Sequence, residues 1–433
     1  MIKTPGMRLG LVCLVAASVG LSLAIVSISK VLLVIAALVV LLRGGRSAVD
    51  VAPLQTMWTP RLATFVVLVF AFSLLWTTAP MDSALGAVGK YGKFLVIPAL
   101  LVLIRTRQEA LYALAFFLGA QVFLLLSAWL LYLHLPVPWA TANMAKTTYA
   151  VFSSYLDQSI MSAVVFAVFW HLKALAPTRP LFFAAIAVSI LALGNVLIVF
   201  EGRTGYLVAV AMVCMAIFWA LPGRWRFASV LVPPLIVLVA FFSFDKVAQR
   251  FSVTKAEMSS YSSKPDPFSS SGVRLNFWQT SVRAIAEKPL MGSGAGSWVT
   301  EFNRIERSKN TVHKSLGSYY YYAHGNPHQE FLLWGVQLGV GGILLLVSFF
   351  GAILFDLRKM DRPVARAGQS VLLALAVSCL FNSSLYDAYI GDFFCVSLGV
   401  LLAYGFHSRE LSRGSAAAGV VQHPKNDDRL IKT

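Results

Sequence analysis

The feature that most constrains this chain is the repetition of apolar runs of bilayer-spanning length, separated by breaks of only a few residues. Scanned with a window of about 19 residues, such runs fall near 8–28, 31–42, 62–78, 84–104, 110–133, 159–175, 181–200, 204–220, 227–243, 328–355, 367–385 and 389–406. A chain that is 58% hydrophobic and 13% charged cannot cover a soluble surface of this length with polar groups. The expected fold class is an all-α polytopic membrane protein with about twelve transmembrane helices. The first run has the basic start of a signal peptide, but it is long and a second run follows at once. It is read as a retained span.

A net charge of +17 would suggest nucleic acid in a soluble chain. Here the Lys and Arg fall in alternate breaks instead: Arg43, Arg46 and Arg61, then Arg105 and Arg107, Lys173 and Arg179, Arg224 and Arg226, "DLRKMDRPVAR" (356–366) and "HSRELSR" (407–413). Short breaks on the other side, such as "TTAPMDS" (77–83) and "SSLYDAY" (383–389), have none. That asymmetry orients both termini toward the cytoplasm and leaves no call for a nucleic-acid partner. Cys13, Cys214, Cys379 and Cys395 sit inside apolar runs with no CxxC spacing, and so read as buried small hydrophobes.

The expected organisation is spans one to nine over 1–244, an outer loop domain over 245–327, three spans over 328–408 and a disordered cytoplasmic tail over 409–433. The loop holds 11 Lys/Arg against 6 Asp/Glu. Either this is a solvated face or the segment meets anionic lipid, phosphate or pyrophosphate. Leu275, Trp278, Val282 and Ile285 recur at helical spacing before Pro289, predicting an amphipathic helix along the membrane surface, with Arg274 at its start on the polar side. "GSGAGSW" follows. Its Gly292 and Gly294 form a tight turn or expose N–H groups to an anion as a nest. The tyrosines of "SYYYYAH" (318–324) fit an interfacial belt or a sugar-stacking platform.

Three further stretches carry candidate chemistry. In "AHGNPHQEFLLWG", Asn326 suits an N-cap and Pro327 the first helical position, which puts His328 and Gln329 in the first turn. The helix dipole there disfavours imidazolium and suits His328 to general-base work; a chance polar residue at a helix mouth is the alternative. Metal binding by His324 and His328 would need them on one helix face, which Pro327 opposes. In "FEGRTGYL", Arg203 occupies a very short outer turn, where it snorkels to lipid phosphate or grips a pyrophosphate. Lys90 and Lys93 add positive charge from the same side.

"HQEFLLWGVQLGVGG" resembles the His-[Asn/Ser/Gln]-x9-Gly-x-x-[Gly/Thr/Tyr] pattern of bacterial O-antigen ligases through His328, Gln329, Gly339 and Gly342, and "RTGYL" is similar to that family's Arg-x3-Leu motif. The resemblance implies a GT-C-like architecture with a large helical periplasmic loop. It also implies a metal-independent glycosyltransferase of the bacterial inner membrane that needs no cofactor. The donor would be O-antigen polysaccharide on undecaprenyl pyrophosphate, and the acceptor lipid A–core oligosaccharide, within membrane lipid at the periplasmic face. His328, Arg203 and Arg274 would be catalytic. Lys90, Lys93, Gln329, His324, Gly292 and Gly294 would bind substrate. O-antigen polymerases and protein O-oligosaccharyltransferases share these motifs. A polysaccharide or lipid transporter is the rival class, but no internal repeat or midplane charge pattern supports it. The outer breaks offer no Asp-x-Asp pair; a metal would have to be sought at Asp387 and Asp392.

Overall fold

The computed structural model describes residues 5–43, 48–142, 145–231, 235, 252, 270–308 and 325–421. Every regular element among them is helical: α1 (Pro5–Ser18), α2 (Leu23–Arg43), α3 (Ala48–Thr56), α4 (Trp58–Phe72), α5 (Met81–Tyr91), α6 (Val96–Leu103), α7 (Arg107–Tyr132), α8 (Ala145–Thr148), α9 (Tyr155–Leu172), α10 (Arg179–Gly194), α11 (Arg203–Ala220), α12 (Ser270–Glu287), α13 (Trp298–Ser308), α14 (Glu330–Leu357), α15 (Arg362–Phe381) and α16 (Ala388–Val421). Ten described helices, some running on through a short 3-10 or π turn, are long and apolar enough to cross a bilayer, and a shorter apolar helix covers Gly6–Ser18. The chain is an all-α polytopic membrane protein. Most of the 227–243 run lies outside the described residues.

Three boundaries differ from hydropathy. The first two runs divide at 19–22, not at 29–30, because Gly20 turns the chain with φ +83°. The last helix continues to Val421, past 408. Hydropathy marks where the apolar stretch ends, while the Ser/Ala-rich continuation keeps helical propensity without it. The loop helices α12 and α13 do not stand apart, since both pack against α14.

Contacts between helix ends fix the bundle's polarity. Arg8 at the start of α1 donates to the Leu103 carbonyl, and His407, past the middle of α16, meets the carbonyl of Ile104, so the start of α1 and the later part of α16 share one end. The starts of α9, α11, α14 and α16 gather at the other end. The last span is the innermost, with 89% of it buried against 28% for α2 and α10. Beneath the site end lies an aromatic core in which Tyr91 stacks on Phe70 at 3.7 Å and Trp334 meets Phe70 edge-on at 5.0 Å.

Within α14 the helical ladder breaks at Gly339, whose φ is +68°. The carbonyls of Val336 and Gln337, left without helical donors, accept instead from Ser293 N and Gly294 N, both at 2.8 Å, and Val340 N donates to the Pro289 carbonyl at 2.8 Å. Gln337, fully buried, completes the joint: its Nε2 donates to Tyr91 Oη at 3.0 Å and its Oε1 accepts from Gly296 N at 2.8 Å. Segment 289–296 is therefore built into the side of a spanning helix. Irregular backbone there survives because these protein groups satisfy the carbonyls and donors that the break frees.

Candidate functional site

The site is assembled at the end of the bundle where α9, α11, α14 and α16 begin. Gly205 presses the first turn of α11 onto α9, since any Cβ there would collide with Ser159, and Arg203 is left exposed. Asn382 Nδ2 reaches Thr204 Oγ1 at 3.5 Å, holding the same turn to the end of α15. On α12, the residues turned inward are Phe277, Thr280, Ser281 and Ala284, while Val282 is 57% exposed. The helix thus docks on α14 through a face about one residue away from the predicted stripe, with Ile285 against Gly335.

That docking brings Arg274 to Arg203. The Arg274 guanidinium is half-buried, and burial first and the Arg203 charge second pull its pKa below the ordinary guanidinium range, with Tyr155 acting in the opposite sense. Neither arginine meets a carboxylate among the described residues. Other cations of the loop are committed locally: Lys288 and Arg304 both bind Glu301, at 3.3 and 2.7 Å, Arg304 also meets Glu287, and Arg283 pairs with Glu287 at 3.2 Å. Among the described residues the loop's positive excess therefore divides into ion pairs on Glu287 and Glu301 and two arginines, Arg274 and Arg307, without such a partner.

One turn further along α12, Phe277 lies parallel to the His328 ring at 6.3 Å and packs against Trp298 and Phe302. The expected cap is displaced. Helix α14 starts at Glu330, and Gln329 is its N-cap, its side chain accepting from Leu332 N at 2.5 Å. Asn326 instead accepts the His328 N–H on its Oδ1 at 2.9 Å, which holds His328 at φ +53°, a left-handed backbone that β-carbon sterics disfavour. Gln329 is occupied as a cap, and His324 lies outside the described residues together with the tyrosine run.

Sequence reasoning missed what stands behind the histidine. Asn326 Nδ2 donates to Asp387 Oδ1 at 3.2 Å, and burial raises the Asp387 pKa while Lys93 and Lys90 pull it down. Fully buried Glu330 accepts from Trp334 Nε1 at 2.8 Å and from Leu385 N at 2.8 Å, clamping α14 to the turn before α16. The usable signal was a carboxylate opening an apolar run, which needs partners.

Several expected substrate groups are structural. Lys93 is 2% exposed and donates to the Asp387 carbonyl at 2.5 Å. Gly292 and Gly294 do not form an open nest: their N–H groups bond to Lys288 and Gln337 carbonyls, and their positive φ serves the turn beside α14. Lys90 remains near the site, with its ammonium 3.9 Å above the Tyr386 ring. Asp392 is bound to Lys30 at 2.7 Å. Among the described residues, no three His, Cys, Asp or Glu side chains converge as a metal would require.

Residues 188–347 match the family model described as O-antigen ligase. The chain carries an O-antigen ligase family domain. The matched stretch contains Arg203, Arg274, His328, Gly339 and Gly342, so it spans both arginines, the histidine and the break in α14. Lys90 and Asp387 fall outside it. No curated protein matches the chain. Over that stretch the chain is similar to the ligase and polymerase type of glycosyltransferase-like membrane enzymes.

Proposed function

We propose that this protein is an O-antigen ligase that transfers O-antigen polysaccharide from undecaprenyl pyrophosphate to a sugar hydroxyl of lipid A–core oligosaccharide, at the periplasmic face of the bacterial inner membrane, with both termini cytoplasmic and without a metal. The observation that carries the reading is the pair Arg203 and Arg274, like charges held within each other's field with no carboxylate partner among the described residues. Holding two guanidiniums this way costs folding free energy unless an anion joins them, and a pyrophosphate offers each fork two oxygens.

The chemistry then divides between two groups. His328 takes the proton of the acceptor hydroxyl as its oxygen forms the new bond to the anomeric carbon, and the bond from that carbon to the pyrophosphate oxygen breaks. The leaving undecaprenyl pyrophosphate gains negative charge on that oxygen, and the two arginines stabilise it. Lys90, held over Tyr386, adds positive potential on the same side. The test is to incubate the purified protein with lipid-linked O-polysaccharide and lipid A–core and to look for joined lipopolysaccharide. Lengthened lipid-linked chains without transfer to the core would instead identify a polymerase.

A further inference from the structure

A second cluster of cations lies at the opposite end of the bundle, where α9 and α11 finish and α15 begins. Two guanidiniums flank one indole: Arg366 Cζ is 5.0 Å and Arg226 Cζ 5.6 Å from the Trp219 ring. Lys173, in the 3-10 turn that ends α9, holds its ammonium 3.0 Å from the Trp170 ring. His171 joins the two groups, since the charges of both Arg366 and Lys173 act on it. The three cations come from three different elements, so helix packing, not adjacency in sequence, gathers them. Among the described residues neither Lys173 nor Arg366 meets a carboxylate. Among the described residues, His171, only 7% exposed, has no hydrogen-bond partner at Nε2, and the buried Trp219 Nε1 has none either.

Lys173 and Arg366, brought to one helix end beside N–H and ring nitrogen groups that lack partners among the described residues, are unfavourable there on their own. A topology signal needs basic residues only somewhere in the break, not focused on one ring. The surroundings indicate what would compensate them. Ends of spanning helices fall at the headgroup region, where indoles are enriched, and Leu175, Leu181 and Trp225 are exposed apolar side chains suited to an acyl chain. We propose that Lys173 on Trp170, with Arg226 and Arg366 flanking Trp219, binds the phosphate of an anionic phospholipid headgroup. The site is independent of the transfer reaction.

The test is lipid retention and thermal stability of the full-length protein in nanodiscs of phosphatidylglycerol or phosphatidylcholine, with inorganic phosphate as a separate arm. Phosphatidylglycerol should raise the melting temperature of the wild type and stay bound in native mass spectrometry, whereas phosphatidylcholine and free phosphate should not. Lys173→Gln and Arg366→Gln should each weaken retention about fivefold, and together about twenty-fivefold. Arg362→Gln, an exposed cation at the same end, should leave it unchanged. Equal loss with Arg362→Gln would show general surface charge and overturn the site. Retention unaffected in the single variants would overturn it too, as would an equal shift from phosphate alone. Should the double variant fail to fold, each single variant still decides the matter.

Discussion

Replacing Asn326 by alanine is the sharpest perturbation of the proposed base, because it touches His328 only through the backbone. Two hydrogen bonds disappear: Oδ1 to the His328 N–H at 2.9 Å and Nδ2 to the Asp387 carboxylate at 3.2 Å. The neutral bond is worth about 1 kcal/mol and the longer charged one about 1.5 kcal/mol. His328 also sits at φ +53°, which stores roughly 1 kcal/mol that this turn helps to oppose. About 2–3 kcal/mol of restraint on the histidine is therefore lost, and transfer should slow roughly thirtyfold to over a hundredfold. Donor affinity should hold, since Arg203 and Arg274 are untouched, so the loss should fall on kcat. Asn326→Asp keeps the acceptor for His328 N–H but sets a second carboxylate against Asp387. Its activity should recover as pH falls and the pair takes up a proton. Single-turnover transfer to lipid A–core, with donor binding measured in parallel, reads both variants. If Asn326→Ala transfers within threefold of wild type, the turn does not position the base.

His328→Ala should fold and bind donor yet lose transfer; near-normal ligation would exclude it as the base. Arg203→Ala and Arg274→Ala should each weaken undecaprenyl pyrophosphate binding about tenfold to a hundredfold, with Arg203→Lys recovering only part; equal affinity in all variants at one salt concentration would make them interfacial anchors. EDTA should leave the rate unchanged, and inhibition reversed by Mg²⁺ or Mn²⁺ would overturn the metal-independent reading. Because the Asp387 pKa is raised in the folded state, its contribution to stability is present in acid and lost as pH rises through that raised value. Asp387→Asn should flatten the melting temperature across the range just above ordinary carboxylate titration, and an unchanged slope would refute that assignment.

Most of the spans were legible because burial in lipid demands unbroken apolar runs, and the order and alternation of charged breaks followed from that. The arginines and His328 were legible as residue types out of place beside such runs. Their convergence was not: Arg203 and Arg274 meet because Gly205 lets α11 approach α9 and because α12 turns its Phe277 face inward. The cap was misread for a local reason, since Asn326 can cap a helix or build a turn, and the choice depends on Asp387, which is distant in sequence. The glycines of 292–296 read equally well as a turn or a nest until their N–H partners were seen on α14.

The break at Gly339 has a consequence for how the chain is made. Helix α14 cannot satisfy its own backbone halfway along, and in hydrocarbon each unmet carbonyl or amide costs several kcal/mol. The segment that meets them, 289–296, is synthesised earlier and must already be in place when α14 is inserted. Insertion of this span is thus a docking event rather than simple partitioning. Chimaeras that exchange the loop without α14, or α14 without the loop, should stall at that step and be degraded, whereas exchange of 289–357 as one cassette should assemble.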